Sequence, residues 1–156
     1  MFSKPQAEHA WLQQLVGNWT FEHDCQMPDG SKNKSSGKMT CRSMAGMWLL
    51  CESTGGAGDE AWSSLMTVGY DPTKEQYVGS FIGSMMHKMW LYHGTLAEDQ
   101  KRLPLISEGP KLDDSGTCRY RDTIEIVDKD TWNFLSEVET DTGEWVQFMA
   151  GRHVRA

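Results

Sequence analysis

The chain is short of positive charge. Lys and Arg number 15 against 22 Asp and Glu, a formal net charge of −7. Its basic residues are scattered, and "KNK" at 32–34 is the densest run. An extended phosphate-binding surface needs clustered Lys and Arg, so nucleic acid is excluded as a partner. Long apolar runs are absent too. No stretch approaches the roughly 18 consecutive apolar residues of a membrane span. The N-terminal "MFSKPQAEHAWLQQ" has no uninterrupted apolar segment of signal-peptide length. Only 4 cysteines occur, Cys25, Cys41, Cys51 and Cys118, and none has metal-knuckle spacing. Without an export signal they are expected to be reduced thiols in a cytoplasmic protein.

Catalytic signatures are equally scarce. There is no G-x-S-x-G elbow, no H-E-x-x-H and no close cysteine pair. "TGGAGDEAW" lacks the Lys-Ser/Thr and the helix that a phosphate-binding loop requires. The composition leans to a binding protein, with no catalytic residue, resident cofactor or metal expected.

What is present is a globular composition, 38% hydrophobic, with 7 Trp and 10 Met in 156 residues. That length predicts one domain spanning residues 1–156. "PQAEHAWLQQL" carries Pro at a helix start and one stripe of Trp11, Leu12 and Leu15, predicting a short helix ending at Gly17. Period two then takes over. About ten β-rich runs follow: "GNWTFEHDCQM", "KMTCRSM", "MWLLCEST", "WSSLMTVGYD", "QYVGSFIG", "KMWLYHGTL", "RLPLISEG", "CRYRDTIEIVD", "TWNFLSEVET" and "EWVQFMAGRHV". Breaks such as "MPDGSKNKSSG", "DPTKE", "DDSG" and "DTGE" are turn chemistry. Short connections require antiparallel neighbours. An all-β, up-and-down antiparallel barrel of about ten strands is therefore predicted, because closure removes exposed edges. The helix would cap one end, and a barrel of this strand number encloses a cavity.

"VGNW" after a short helix, followed by a meander, resembles the lipocalin and fatty-acid-binding (calycin) pattern. There Gly-x-Trp opens the first strand, and the Trp packs at the barrel floor against an Arg from the last strand. The resemblance gives that place to Arg152, with Arg155 as the alternative, opposite Trp19. "EHAWLQQLVGNWTFE", "MTVGYDPTKEQYVGSFIGSMMHKMWLYHGTL", "SEGP", "YRDTIEIVDKDTW" and "QFM" further resemble a mostly bacterial family defined as a domain of unknown function with a calycin-like barrel. That resemblance implies a fold and a cavity and carries no activity.

Four constellations carry candidate chemistry. "SMMHKMW" offers Met85, Met86, His87 and Met89, soft donors suited to copper(I). Read as a strand, it sends Met86 opposite to Met85 and His87, which favours a lining role over a metal site. His153 resembles the late-strand haem ligand of nitrobindin-like barrels, although "TFEHDCQMP" replaces the Gly-rich, Tyr-Pro continuation found there. With Arg152 inward, His153 is expected to face outward. "CRYRDTIEI" puts Arg119, Arg121, Thr123 and Glu125 on the outer face, leaving Tyr120 and Asp122 inside, the latter needing an unnamed partner. His23 shares the inner face with Trp19 and Phe21, as a core residue or a general base.

The leading expectation is a barrel binding a small hydrophobic ligand, lined by Trp19, Phe21, Met66, Phe81, Met86, Trp90, Tyr92, Tyr120 and Phe134, with Arg152 nearby. The alternatives are a haem-binding nitrobindin-like barrel, an enzyme acting on a cavity-bound substrate, and an interaction module whose barrel is filled.

Overall fold

The computed structural model describes residues 1–156. A six-residue helix, α1 (Ala7–Leu12), runs into a 3-10 turn over Gln13–Leu15. The Gln6 backbone N–H donates to His9 Nδ1 at 2.9 Å, occupying a polar group at the helix start. Gly17 then turns the chain into the barrel with φ +139°, and a Cβ there would run into the Arg155 guanidinium. The positive φ is what calls for glycine at this position.

Ten strands follow: β1 (Gly17–Gln26), β2 (Lys32–Met44), β3 (Trp48–Gly55), β4 (Trp62–Asp71), β5 (Gln76–Gly83), β6 (Trp90–Gly94), β7 (Arg102–Pro110), β8 (Thr117–Asp128), β9 (Thr131–Glu139) and β10 (Trp145–Arg155). Each pairs antiparallel with its sequence neighbour. β10 closes on β1 from Trp19↔Arg155 to Cys25↔Met149, giving a closed barrel in chain order. Aspartates set several turns. The Asp29, Asp71 and Asp128 carboxylates each accept a backbone N–H two residues on, at 2.8–2.9 Å. The wall is thinnest between β6 and β7, which are in register only at His93↔Ile106.

Two elements depart from the sequence expectation. β2 begins at Lys32, so "KNKSSG" is strand and not turn. It pairs residue for residue with β1 from Gln26↔Lys32 to Phe21↔Gly37, and partner pairing overrides its weak intrinsic preference. Conversely, residues 84–89 form a loop. Ser84 N–H donates to Ser63 O and Met86 N–H to Gly83 O, which ends β5 in a turn. Met85, Met86 and Met89 are left 51%, 39% and 56% exposed. The alternation used to place Met86 on an inner wall does not exist there.

The helix end of the barrel is packed solid. Leu12 and Leu15 sit on Leu49, Val68, Tyr77, Leu103 and Trp132, all almost completely buried. Tyr77 Oη donates to Glu8 O at 2.8 Å and ties the helix to β5. Trp19 Nε1 donates to Leu15 O at 2.8 Å, and its ring meets Trp132 edge-on at 6.1 Å. The guanidinium covering Trp19 is that of Arg155, 4.2 Å from the ring centre. Arg152 points outward and is exposed. The cause is a β-bulge between Gln147 and Met149. Val146 lies opposite Val138, yet Met149 lies opposite Ser136, so the inner face passes from even to odd residues. Gly151, His153 and Arg155 therefore face inward, which reverses the expected directions of both Arg152 and His153. No helix is long and apolar enough to cross a membrane.

Candidate functional site: the open half of the barrel

Opposite the helix the inner wall changes character. Inward positions there include Ser53, Ser64, Ser107 and Ser136, with glycines at 37, 55, 83, 109 and 151. Aromatic rings lie against the wall at several of these glycines. The Trp62 ring fills the space a Cβ on Gly55 would occupy, and the Trp90 ring does the same at Gly109. These rings lie on the inner face of the open half. Trp62, Phe81, Trp90, Phe134 and Phe148 all point inward and all stay partly exposed, whereas inward residues at the helix end are sealed. The open half therefore presents partly exposed aromatic rings on its inner face above a closed floor.

The floor is built from rings. His153 stacks on Trp132 with centroids 3.8 Å apart and 12° between planes. Phe21 lies 5.3 Å from His153 and stacks on His23 at 4.4 Å. Burial lowers the pKa of His23 from 6.5 to about 4. It lowers that of His153 to about 3, with His23 contributing a smaller part. Both imidazoles are neutral at physiological pH. His23 Nε2, both His153 nitrogens, Trp132 Nε1 and Ser107 Oγ are buried without a hydrogen-bond partner. Each such group costs about 1–3 kcal/mol, so the floor holds unspent hydrogen-bonding capacity.

One wall carries an acid. Asp122, half-buried, accepts a 2.5 Å hydrogen bond from Tyr92 Oη, with the Ser136 side chain opposite it on β9. Burial raises its pKa, and Tyr92 and Ser136 pull it partly back. Tyr92 is the partner that Asp122 required, 30 residues away and therefore invisible to local pattern. Arg119 and Arg121 face outward and pair with Glu139 at 2.6 Å and Glu137 at 2.9 Å.

Of the expected lining residues, Phe81, Trp90 and Phe134 are inward and half-buried, and Phe21, Tyr92 and Tyr120 are inward and buried. Trp19 and Met66 belong to the packed core below the lumen. Met86 sits at the rim, its Sδ accepting a 3.0 Å hydrogen bond from Trp90 Nε1. Arg152 borders a recess on the outer wall with Thr20, Glu22, Ser36 and Lys38. Trp62, Trp132, Phe148 and His153 were missed as inner-wall residues. For the first two, period two alone would have sufficed.

The haem alternative can be tested on His153. A proximal ligand needs an imidazole nitrogen facing open space, and both of its nitrogens are sealed, with Trp132 against one face and Phe21 and His23 close by. The residues present do not fit a haem. No group of three or more His, Cys, Asp or Glu is placed to hold a metal ion.

A closed ten-stranded antiparallel barrel, capped by one short helix and lined in its open half, is a calycin-like barrel. The chain belongs to the family described as "Protein of unknown function (DUF1579)", whose model matches residues 4–155. No curated protein matches it. Among solved structures it is similar to Rv2717c from M. tuberculosis, at 10% identity and TM-score 0.70, covering 98% of this chain and 99% of that one. It is also similar to the S-type phycobiliprotein lyase CPES from Guillardia theta, at 12% identity and TM-score 0.61, covering 97% and 93%. These likenesses concern the fold.

Proposed function

We propose that this protein binds a small, largely apolar ligand in the open half of its barrel. The observation that carries the reading is the contrast between the two halves. The helix end is packed shut, while the other end keeps five inward aromatic rings partly exposed over a wall of serine and glycine. Exposed aromatic surface inside a barrel is costly to leave against water, at roughly 25 cal/mol per Å². A concave, mostly apolar surface with a few polar groups is the usual form of a small-molecule site. Phe81, Trp90 and Phe134 act as walls, with Phe21, Tyr92 and Tyr120 behind them. Asp122 is the acidic group on that inner wall, beside the inward serines.

The test is titration with N-phenyl-1-naphthylamine, which fluoresces in apolar surroundings. Saturable enhancement by the native protein is expected, together with its loss in Ser64→Trp, where an indole is placed across the lumen. Binding that survives Ser64→Trp, in a variant with native circular dichroism, defeats the reading. Native mass spectrometry of the purified protein would then identify any co-purified molecule.

A further inference from the structure

The inner face can be read position by position from the strand phases. Across all ten strands, its only charged side chains are Asp122 and Arg155. Arg155 is committed to the closed end. It covers Trp19 and donates to Val16 O at 3.0 Å and Lys129 O at 2.7 Å, with Asp130 Oδ1 at 3.2 Å. Arg119 and Arg121 are outside and paired, and Arg152 is outside. Lys88 sits at the mouth, its Cε beside the inner face of Gly109 and its ammonium 5.2 Å from the Trp90 ring centre. Below that mouth the inner face carries one acid and two imidazoles and no free cation.

We infer that the lumen selects uncharged aromatic guests carrying an N–H or O–H donor and rejects carboxylates, sulfonates and phosphates. This rests on the lumen-binding reading above. An anion drawn past Lys88 into such a space loses its hydration and gains no counter-charge there. Asp122 adds to this in either protonation state: ionised it repels the anion, and protonated it supplies no positive charge. Its remaining acceptor capacity instead favours a guest that donates a hydrogen bond. Neutral His23 and His153 supply no charge either, their imidazoles being held unprotonated by burial. The arginines that could pair with such an anion are turned out or occupied.

The test compares two probes that differ by a single sulfonate, N-phenyl-1-naphthylamine and 8-anilinonaphthalene-1-sulfonate. The neutral amine is expected to bind at least about tenfold more tightly, in the native protein and in Lys88→Gln alike. In Asp122→Asn the gap should narrow. Equal or tighter binding of the sulfonate to the native protein overturns the inference while leaving the lumen as a binding site. A gap that Asp122→Asn leaves unchanged overturns the part given to Asp122. Failure of both probes to bind defeats the lumen reading itself, so the two failures are distinct.

Discussion

The His153 imidazole lies face to face with the Trp132 indole, 3.8 Å between centroids and 12° from parallel, at the boundary between the packed and open halves. Trp132 Nε1 and both His153 nitrogens lack partners, so the pair is held by ring contact alone. Burial without partners tolerates a neutral imidazole and penalises a charged one.

Acid stability follows from that. The folded-state values of His23 and His153, about 4 and about 3, lie below the ordinary 6.5, so the unfolded chain binds protons first as pH falls. Stability is expected to be level above about pH 6.5 and to drop below it, by about 1.4 kcal/mol per pH unit for each imidazole. The loss is complete only below the folded values. Asp122, whose pKa is raised, works in the opposite sense and softens the slope. Urea unfolding between about pH 7 and about pH 4.5 measures this. His153→Phe should remove close to half of the pH dependence, and a profile as steep as the parent's would contradict the assignment.

Arg155 and Arg152 sit three residues apart on one strand and should differ sharply on truncation. Arg155 covers Trp19 and bonds the carbonyls of Val16 and Lys129. Arg155→Ala is expected to cost about 2–4 kcal/mol, through lost cation–π contact and orphaned carbonyls. Arg152→Ala, on the exposed face, should stay within about 0.5 kcal/mol of the parent. Thermal denaturation of the two variants reads the difference directly.

These two arginines also mark how far the sequence could be read. Period two and the Asp-led turns carried the strand count, the antiparallel order and the closing helix, because each is a local property. The phase of β10 was not local. One extra residue near Phe148 moves every later side chain to the other face, and a bulge leaves no compositional mark. The loop at 84–89 misled for a related reason. Met and Trp suit a strand or a rim equally well, and only the turn at Gly83–Met86 decides between them. The lumen itself arises from rings meeting glycines on neighbouring strands, such as Trp62 on Gly55 and Trp90 on Gly109, across sequence separations no window spans.

Tyr92 and Asp122 should behave as a coupled pair. Tyr92→Phe removes the 2.5 Å donor and leaves the carboxyl with Ser136. A loss of about 1–3 kcal/mol is expected, because the acceptor stays in place without its partner. Asp122→Asn retains an acceptor for the Tyr92 hydroxyl and should cost less. A double-mutant cycle between Tyr92→Phe and Asp122→Leu should give a coupling energy of about 1 kcal/mol or more. Strict additivity would show that the short contact adds nothing to stability.

The four thiols should divide into two classes. Cys41 and Cys51 face each other directly across β2 and β3, and both are buried in the core. The Cys51 thiol is held well above its ordinary pKa by its hydrogen bond with Cys41 and by burial, so little thiolate is available there. Cys25 and Cys118 are half-buried near strand ends, and burial with the nearby Asp24 charge raises the Cys25 thiol. An aromatic disulfide reagent should therefore modify Cys118 and Cys25 in the native protein, with Cys25 slowed by its raised pKa. Cys41 and Cys51 should wait for unfolding. Peptide mass mapping after timed labelling assigns each site, and early modification of Cys41 or Cys51 would mean that the β2–β3 wall opens far more readily than its eight paired positions imply.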